Sequence, residues 1–251
     1  MTTSFGHVLA VIPARLGSTR LPRKVLREIA GEPMIAWVYR AARACPLLDQ
    51  VLIATDSDEV LNFAQAHSLP AVFTPEDCAS GTDRVWAVAQ SIPADIYVNI
   101  QGDEPLLTPD HFTPMLKLFE RPEVQVATLA VRCPAADIHN PHTVKVVTAS
   151  DDRALYFSRA TIPFDRDGGF AGYRKHLGVY AYRKAALEKF AVLPPSWLEK
   201  VERLEQLRLL DNGIDIHVAP APTDTIGVDT EEDLRAVEAI MSARMHWGSV
   251  L

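Results

Sequence analysis

Apolar runs of strand length alternate with amphipathic segments of helix length from the start of this chain. This alternation points to an α/β fold, because it is typical of a mostly parallel sheet flanked by helices. Strands are predicted near residues 8–12, 50–54, 70–73, 95–100 and 124–131. Helices are predicted near residues 33–45, 57–67, 82–91 and 109–120.

The pattern changes in the middle of the chain. Residues 132–183 hold strand-like pieces without long helices between them, at 143–148, 154–158 and 176–182. This section is predicted to be a smaller, more antiparallel elaboration that could form a ligand pocket or a dimer surface. Later segments are predicted as a helix near 198–211 with Leu198, Val201, Leu204 and Leu207 as its apolar stripe, a strand near 214–219 and a last helix from about 230. We expect a single domain over residues 1–251.

Composition excludes several classes of protein. The net charge of −7 argues against a general nucleic-acid-binding surface. The three cysteines are widely spaced and lack metal-ligand spacing, which favours reduced thiols and a cytoplasmic location. No apolar run approaches the roughly 18 residues of a membrane span, so no membrane insertion is expected.

A basic loop follows the first predicted strand. The carboxyl end of a strand is where open α/β sheets bind ligands, and clustered cations with hydroxyls suit several phosphates at once. A solvated basic loop is the alternative interpretation. The loop lacks both the P-loop pattern and the glycine pattern of dinucleotide-binding proteins. It begins at Ala14 and contains Arg15, Ser18, Thr19, Arg20, Arg23 and Lys24.

Two acidic residues are candidate ligands of Mg²⁺. Asp103 directly follows the strand predicted near 95–100, although its Gly-Asp-Glu-Pro context could also be a plain turn. Asp229 precedes the last helix, where Thr230 and Asp233 form a plausible capping box that leaves the Asp229 side chain free. Magnesium prefers one or two carboxylates together with water and substrate phosphates.

A second group of polar residues lies later in the chain. The strand predicted at 174–182 alternates, which places His176 and Tyr180 on one face, where they could bind a hydroxyl-rich ligand. An ordinary half-exposed strand is equally compatible with the pattern. Arg159 is suited to a carboxylate, because a guanidinium binds it through two hydrogen bonds. Glu205 and Gln206 flank the apolar stripe of a predicted helix and by default form a solvated edge.

The chain resembles the 3-deoxy-D-manno-octulosonate (Kdo) cytidylyltransferase family over nearly its whole length. Motifs on the sugar side are the more specific ones: Phe157 to Pro163, His176-Leu177-Gly178 and Leu204 to Arg208. Those on the nucleotide side are Ile12 to Lys24, Ser80 to Arg84, Asn99 to Pro105 and Gly227 to Thr230. The resemblance implies a Rossmann-like nucleotidyltransferase fold, with residues 132–183 as a sugar-binding or dimerisation elaboration.

The resemblance implies transfer of CMP from CTP to the anomeric hydroxyl of Kdo, with release of pyrophosphate, for lipopolysaccharide biosynthesis. It implies Mg²⁺ as cofactor on Asp103 and Asp229, in a two-metal arrangement, and a homodimer. Catalytic roles fall to Arg15, Lys24, Asp103 and Asp229. Nucleotide contacts fall to Ala14, Arg15, Ser18, Thr19, Arg20, Lys24, Ser80, Arg84 and Gln101. Sugar contacts fall to Gln101, Arg159, His176, Tyr180, Glu205 and Gln206.

The sequence also departs from the family pattern. Arg23 and Val25 replace a glycine and a proline of the family's phosphate loop, so the local turn is expected to differ. Cytidylyl transfer to a related acid sugar, an 8-amino Kdo analogue or a sialic acid, is a close alternative. A metal-dependent glycosyltransferase and a non-catalytic nucleotide-binding module are more distant ones. The first would be expected to carry Asp-x-Asp where this chain reads Gly102-Asp103-Glu104, and the second would not need both acids.

Overall fold

The computed structural model describes residues 4–17 and 20–248 of the chain. Its strands are β1 (Val8–Ala14), β2 (Glu28–Ile29), β3 (Glu32–Pro33), β4 (Gln50–Thr55), β5 (Ala71–Phe73), β6 (Ile96–Asn99), β7 (Val126–Arg132), β8 (Lys145–Thr148), β9 (Ala154–Ser158), β10 (Arg174–Arg183) and β11 (Ile216–Pro220). Its α-helices are α1 (Met34–Arg43), α2 (Asp58–Ala66), α3 (Gly81–Ala89), α4 (Pro109–Lys117), α5 (Lys184–Val192), α6 (Trp197–Glu202), α7 (Leu207–Asp211) and α8 (Glu231–Gly248). The predicted mixed α/β class is confirmed, and so is each strand and helix predicted before residue 132.

The chain forms two compact units. Unit I comprises Met1–Gly6, Asp95–Tyr97 and Asp110–Asp224, and unit II comprises His7–Ala94, Val98–Pro109 and Thr225–Leu251. The prediction of a single domain over 1–251 stays a prediction. Within the described part of the chain, no helix has both the length and the apolar character needed to cross a membrane.

Unit II contains a parallel sheet. Strand β4 pairs in parallel with β1 on one side and with β5 on the other. All seven residues of β1 are buried, as expected for a parallel strand that is covered on both faces. Helices α2 and α3 begin at Ser57 and Ser80, whose side chains accept hydrogen bonds from the first-turn amides of Val60 and Asp83.

Unit I contains the antiparallel elaboration that the sequence predicts. Strand β10 pairs antiparallel with β7 and β8, and β8 pairs antiparallel with β9. Strand β11 pairs in parallel with β7. The alternation predicted for β10 is interrupted where the register with β7 shifts between Leu177 and Tyr180, but His176 and Tyr180 lie side by side as predicted. A shift of this kind inserts unpaired backbone and kinks the strand.

The single helix predicted over 198–211 is wrong. The chain forms two short helices there, because Arg203 adopts a left-handed conformation with φ 57° and ends α6. Val201, predicted to lie on the apolar stripe of that helix, is 71% exposed. The sequence analysis missed α5, which follows β10 directly and buries Ala186, Leu187 and Phe190.

Candidate active site

Unit II encloses a cavity of about 400 Å³ at the carboxyl ends of β1 and β6. This is the edge of the sheet where the sequence predicts ligand binding. The lining combines cations with two carboxylates and small backbone segments. The lining residues are Pro13, Arg15, Gly17, Arg20, Lys24, Val25, Gly81, Gln101, Gly102, Asp103 and Asp229.

The two predicted acids meet on one cation in this cavity. Lys24 Nζ donates to Asp103 Oδ2 at 2.5 Å and to Asp229 Oδ1 at 2.9 Å. Arg20 pairs with the other oxygen of Asp229, with Nη2 at 3.0 Å from Oδ2. These partners lie 79 and 205 residues after Lys24, so long-range folding assembles the cluster.

Backbone contacts hold the two acids together. The amide of Val228 donates to the carbonyl of Asp103 at 2.9 Å, which ties the segment before α8 to the end of β6. Thr230 and Asp233 form the predicted capping contacts, with Asp233 N donating to Thr230 Oγ1 at 3.2 Å. Because Asp233 also accepts from the amide of Asp229 at 3.0 Å, the Asp229 carboxylate is left to face Lys24 and Arg20.

Opposing effects act on the pKa of Lys24. Burial lowers it, but the charges and hydrogen bonds of Asp103 and Asp229 outweigh burial and raise the pKa above its ordinary value. Lys24 is therefore a permanent cation at neutral pH. Asp103 and Asp229 attract the positive charge of Lys24. The same attraction suits a metal cation at this place in the cavity.

The carboxylate pair fits Mg²⁺ in its chemistry. Among the residues that the structure describes, no group of three or more His, Cys, Asp and Glu side chains could hold a metal by itself. Magnesium does not need such a cage, since it is usually bound by one or two carboxylates plus water and substrate phosphates. Asp103 and Asp229 supply the carboxylates, and the neighbouring cations suit the phosphates.

The basic loop lies against the start of α3 as well as against the acids. Arg15 donates to the carbonyls of Cys78 and Ala79 at 3.4 and 3.2 Å, and its guanidinium lines the cavity. Ala14 is the buried last residue of β1. Ser18 and Thr19, predicted to contact the nucleotide, lie outside the described residues.

Arg23 adopts a backbone conformation that favours glycine. Its φ of 57° and ψ of 31° lie in the left-handed region, and the expectation that the turn differs from that of the family stays a prediction. The side chain forms an ion pair with Glu59. A side chain in this region carries a steric cost that glycine avoids.

Gln101 is positioned by a chain of polar contacts. Its Nε2 donates to Asn99 Oδ1 at 3.0 Å, and Asn99 Nδ2 donates to Thr82 Oγ1 at 3.2 Å. Gly81 allows this approach, because a Cβ there would lie 3.1 Å from Gln101 Nε2. Hydrogen bonds through Asn99 therefore link Gln101 to α3 and position its side chain in the lining of the cavity.

Two predicted nucleotide residues are engaged elsewhere. The Ser80 hydroxyl caps α3 through Asp83. Arg84 is fully buried and donates to Thr74 Oγ1 and Asp56 Oδ2, each at 2.5 Å. Neither residue is among the described residues that line the cavity.

The predicted sugar residues other than Gln101 lie in unit I. The His176 ring contacts Tyr180 and Phe157 at centroid distances of 5.3 and 5.0 Å. Burial lowers the pKa of His176 to about 3 and, helped by the nearby charge of Glu205, raises that of Tyr180 well above its ordinary value. Both residues are thus neutral at physiological pH and act as hydrogen-bonding groups.

Arg159 is anchored on two sides. Its Nε donates to the carbonyl of Glu202 at 2.9 Å, and its Nη1 donates to the carbonyl of Pro141 at 3.1 Å. Lys145 is fully buried and donates to three backbone carbonyls, including that of Arg159 at 2.7 Å. The sequence analysis missed Lys145, although a lysine within an apolar strand pattern signals a buried, paired ammonium.

Glu205 and Gln206 do not form a solvated helix edge. The break at Arg203 places them at the junction of α6 and α7, where Gln206 is buried with only 5% exposure. Gln206 Nε2 and Tyr180 Oη are buried with no hydrogen-bond partner among the described residues. Buried polar atoms normally find partners, so these two indicate a place for a polar ligand.

The comparisons with known proteins agree with this arrangement. The family model "Cytidylyltransferase" matches residues 9–216. The chain is 75% identical over 239 residues to a 3-deoxy-manno-octulosonate cytidylyltransferase of Acidobacterium capsulatum, covering 95% of this chain and 98% of the relative. It is 43% identical to the Escherichia coli protein of the same name, covering 94% of this chain and 96% of that one.

A solved structure extends the likeness to three dimensions. The structure of CMP:2-keto-3-deoxy-manno-octonic acid synthetase complexed with CTP superposes with a TM-score of 0.91 at 43% identity, covering 95% of this chain and 99% of that chain. Family model, sequence identity and fold therefore agree over nearly the same residues. The chain belongs to the 3-deoxy-manno-octulosonate cytidylyltransferase family of enzymes.

Proposed function

We propose that the protein catalyses the Mg²⁺-dependent transfer of CMP from CTP to the anomeric hydroxyl of Kdo, giving CMP-Kdo and pyrophosphate. The observation that carries this proposal is the convergence of Asp103 and Asp229 on Lys24 in a cavity that Arg15 and Arg20 also line. The relatives' names support the choice of nucleotide and sugar.

In this proposal the cations of the basic loop bind the triphosphate. Arg15, Arg20 and Lys24 face the same cavity, so together they can neutralise several phosphate charges. The anomeric oxygen attacks the α-phosphorus, the bond from that phosphorus to the bridging oxygen of the β-phosphate breaks, and the hydroxyl proton passes to water. Pyrophosphate leaves with the electrons of the broken bond.

Asp103 and Asp229 are the proposed ligands of Mg²⁺. When bound, the ion would supply charge neutralisation at the phosphates and make the sugar hydroxyl more acidic. The residues of the chain provide the rest: the carboxylates are held by the backbone contact between Val228 and Asp103, and Gln101 is held on Asn99. Gln101 is proposed to lie between nucleotide and sugar.

Arg159 is proposed to bind the sugar carboxylate. Its Nε and one N–H of Nη1 donate to the carbonyls of Glu202 and Pro141, so the second N–H of Nη1 and those of Nη2 are the donors proposed for the substrate. His176, Tyr180, Glu205 and Gln206 are the proposed contacts of the sugar hydroxyls. The buried atoms Tyr180 Oη and Gln206 Nε2 support this assignment, because a polyhydroxylated ligand would supply their missing partners.

The same chemistry on an 8-amino Kdo analogue or a sialic acid is the alternative. Pyrophosphate release from CTP and Mg²⁺ should be compared with Kdo, with each alternative sugar and without sugar. Highest turnover with Kdo is the expected result. Faster release with another sugar would reassign the substrate, and no release with any sugar would contradict the proposed reaction.

We also propose a cytoplasmic homodimer that acts in lipopolysaccharide biosynthesis. Reduced cysteines favour that compartment, and none of Cys45, Cys78 and Cys133 forms a disulfide in the structure. Sedimentation equilibrium of the full chain should give twice the monomer mass. A monomer at micromolar concentration would contradict the dimer without affecting the proposed reaction.

A further inference from the structure

The side chain of Thr128 sits at the centre of the histidine and tyrosine cluster in unit I. It projects from β7, and its Oγ1 lies 2.7 Å from the carbonyl oxygen of Val179 and 3.3 Å from that of Leu177. It also lies 3.0 Å from His176 Nε2. Thr128 is fully buried, so its hydroxyl meets protein atoms rather than bulk water.

The chemistry of the three partners decides where the proton lies. A carbonyl oxygen can only accept, and a threonine hydroxyl has one proton to donate. The carbonyl of Val179 is the nearest acceptor and takes that proton. The remaining contact must then run the other way, with His176 Nε2–H donating to Thr128 Oγ1.

A neutral imidazole carries a proton on one nitrogen only. With Nε2 protonated, Nδ1 of His176 holds a lone pair and can only accept a hydrogen bond. The side-chain contact of His176 with Thr128 uses Nε2 and leaves Nδ1 for another partner. The lowered pKa of His176 agrees with a neutral ring, although the tautomer follows from the contacts of Thr128.

The kink in β10 explains why a hydroxyl is needed at Thr128. The register shift between Leu177 and Tyr180 interrupts the ladder with β7, and the Thr128 hydroxyl on the opposite strand donates to the carbonyl of Val179 within the shifted segment. Residues four apart in a regular strand are separated by roughly 13 Å. The rings of His176 and Tyr180 nevertheless lie 5.3 Å apart, so the kink also gathers these two rings.

We propose that Thr128 is a positioning residue that holds His176 as the Nε2–H tautomer and so presents Nδ1 as an acceptor to the sugar. The site then selects a sugar carrying a hydrogen-bond donor, a hydroxyl or an ammonium, at the position that His176 meets. A group that can only accept, such as fluorine, is discriminated against there. This selection rests on the proposed function; the tautomer does not.

The tautomer can be measured directly on the full chain without any substrate. Long-range ¹H–¹⁵N correlation spectra of protein labelled in histidine should show His176 with Nε2 protonated at pH 7, the signal being assigned by its loss in His176→Gln. Thr128→Ser should keep this pattern, and Thr128→Val should not. An Nδ1–H tautomer or a charged ring in the wild-type protein would overturn the inference, whatever happens to the variants.

Kinetics test the consequence for the sugar. Thr128→Val should raise the KM for Kdo about 10-fold and leave the KM for CTP unchanged, because one hydrogen bond to the sugar is misdirected. Thr128→Ser should restore the wild-type value. A general loss of folding would instead move both KM values and the midpoint of thermal unfolding. An unchanged KM for Kdo in folded Thr128→Val would overturn the positioning role.

Analogues of Kdo can identify which hydroxyl of the sugar donates a hydrogen bond to His176. Among Kdo derivatives with one hydroxyl replaced by fluorine, one should lose about 10-fold in kcat/KM with the wild-type enzyme and show no added loss with His176→Ala. If no derivative behaves this way, the selection is wrong. If no sugar supports pyrophosphate release at all, the proposed function fails, while the spectra still decide the tautomer.

Discussion

The amide of Val228 donates a hydrogen bond to the carbonyl oxygen of Asp103 at 2.9 Å. This contact joins the segment before α8 to the segment after β6. It places two carboxylates around Lys24, although they come from distant parts of the chain. A buried cluster that contains Val228 and Leu21 packs beneath this contact, so the hydrophobic core fixes the geometry of the charged groups.

Neutralising either acid should abolish most of the activity. We expect Asp103→Asn and Asp229→Asn each to lower kcat for pyrophosphate release by about 100-fold or more, because the proposed metal loses a charged ligand. Glu231→Gln is the matched control: Glu231 lies two residues from Asp229 and pairs with Arg27, but does not line the cavity. Wild-type turnover by Asp103→Asn or Asp229→Asn would remove that residue from the proposed metal site.

The buried ion pair between Arg84 and Asp56 should contribute more to the free energy of unfolding than an exposed ion pair does. Arg84→Met leaves Asp56 without its partner, and breaking a buried pair typically costs about 3 to 5 kcal/mol. The exposed pairs of Arg153 with Asp151 and Asp215 provide the comparison, since Arg153→Met should change the free energy of unfolding far less. Urea unfolding followed by circular dichroism measures both. Equal costs for the two variants would show that Arg84 does not act as a buried support.

Arg23 offers a stabilising substitution. Its left-handed backbone is strained for a side chain, so Arg23→Gly should raise the free energy of unfolding by about 0.5 to 1 kcal/mol. Arg23→Ala keeps the strain and loses the exposed ion pair with Glu59, so it should give no gain. Urea midpoints of the three proteins check this order. If Arg23→Gly is destabilised, the ion pair matters more than the turn.

Burial of His176 should make stability depend on pH. Its pKa is about 3 in the folded protein and near 6.5 when unfolded, so below pH 6.5 the unfolded chain binds more protons than the folded one. The stabilisation is complete above pH 6.5 and is lost as the pH falls toward 3. At pH 5 the loss amounts to about 2 kcal/mol.

His176→Gln tests this dependence, because it removes the titrating group. Between pH 6.5 and 5 the free energy of unfolding of this variant should fall less steeply with decreasing pH than that of the wild-type protein. The difference between the two slopes should correspond to close to one proton. His217 also has a lowered pKa because of burial and Arg121, so both proteins should keep some slope. Identical slopes would mean that His176 is protonated in the folded state.

The sequence by itself determined the α/β class of this protein and the positions of its strands and helices before residue 132. Buried parallel strands read as apolar runs, which is why β1 and β4 were predicted at nearly their observed bounds. Asp103 and Asp229 could be selected as candidates because each lies directly beside an element boundary that local patterns reveal. Family motifs then indicated the reaction.

Tertiary structure decided which side chains meet. The turn at Arg203 and the kink in β10 depend on packing and on unpaired backbone, which local periodicity does not encode. For this reason the local pattern alone indicates a solvated edge at Gln206, which is buried, and gives no sign of Thr128, which contacts His176 from 48 residues away. Hydrogen-bond partners across strands are set by register, and register emerges only when the whole sheet has formed.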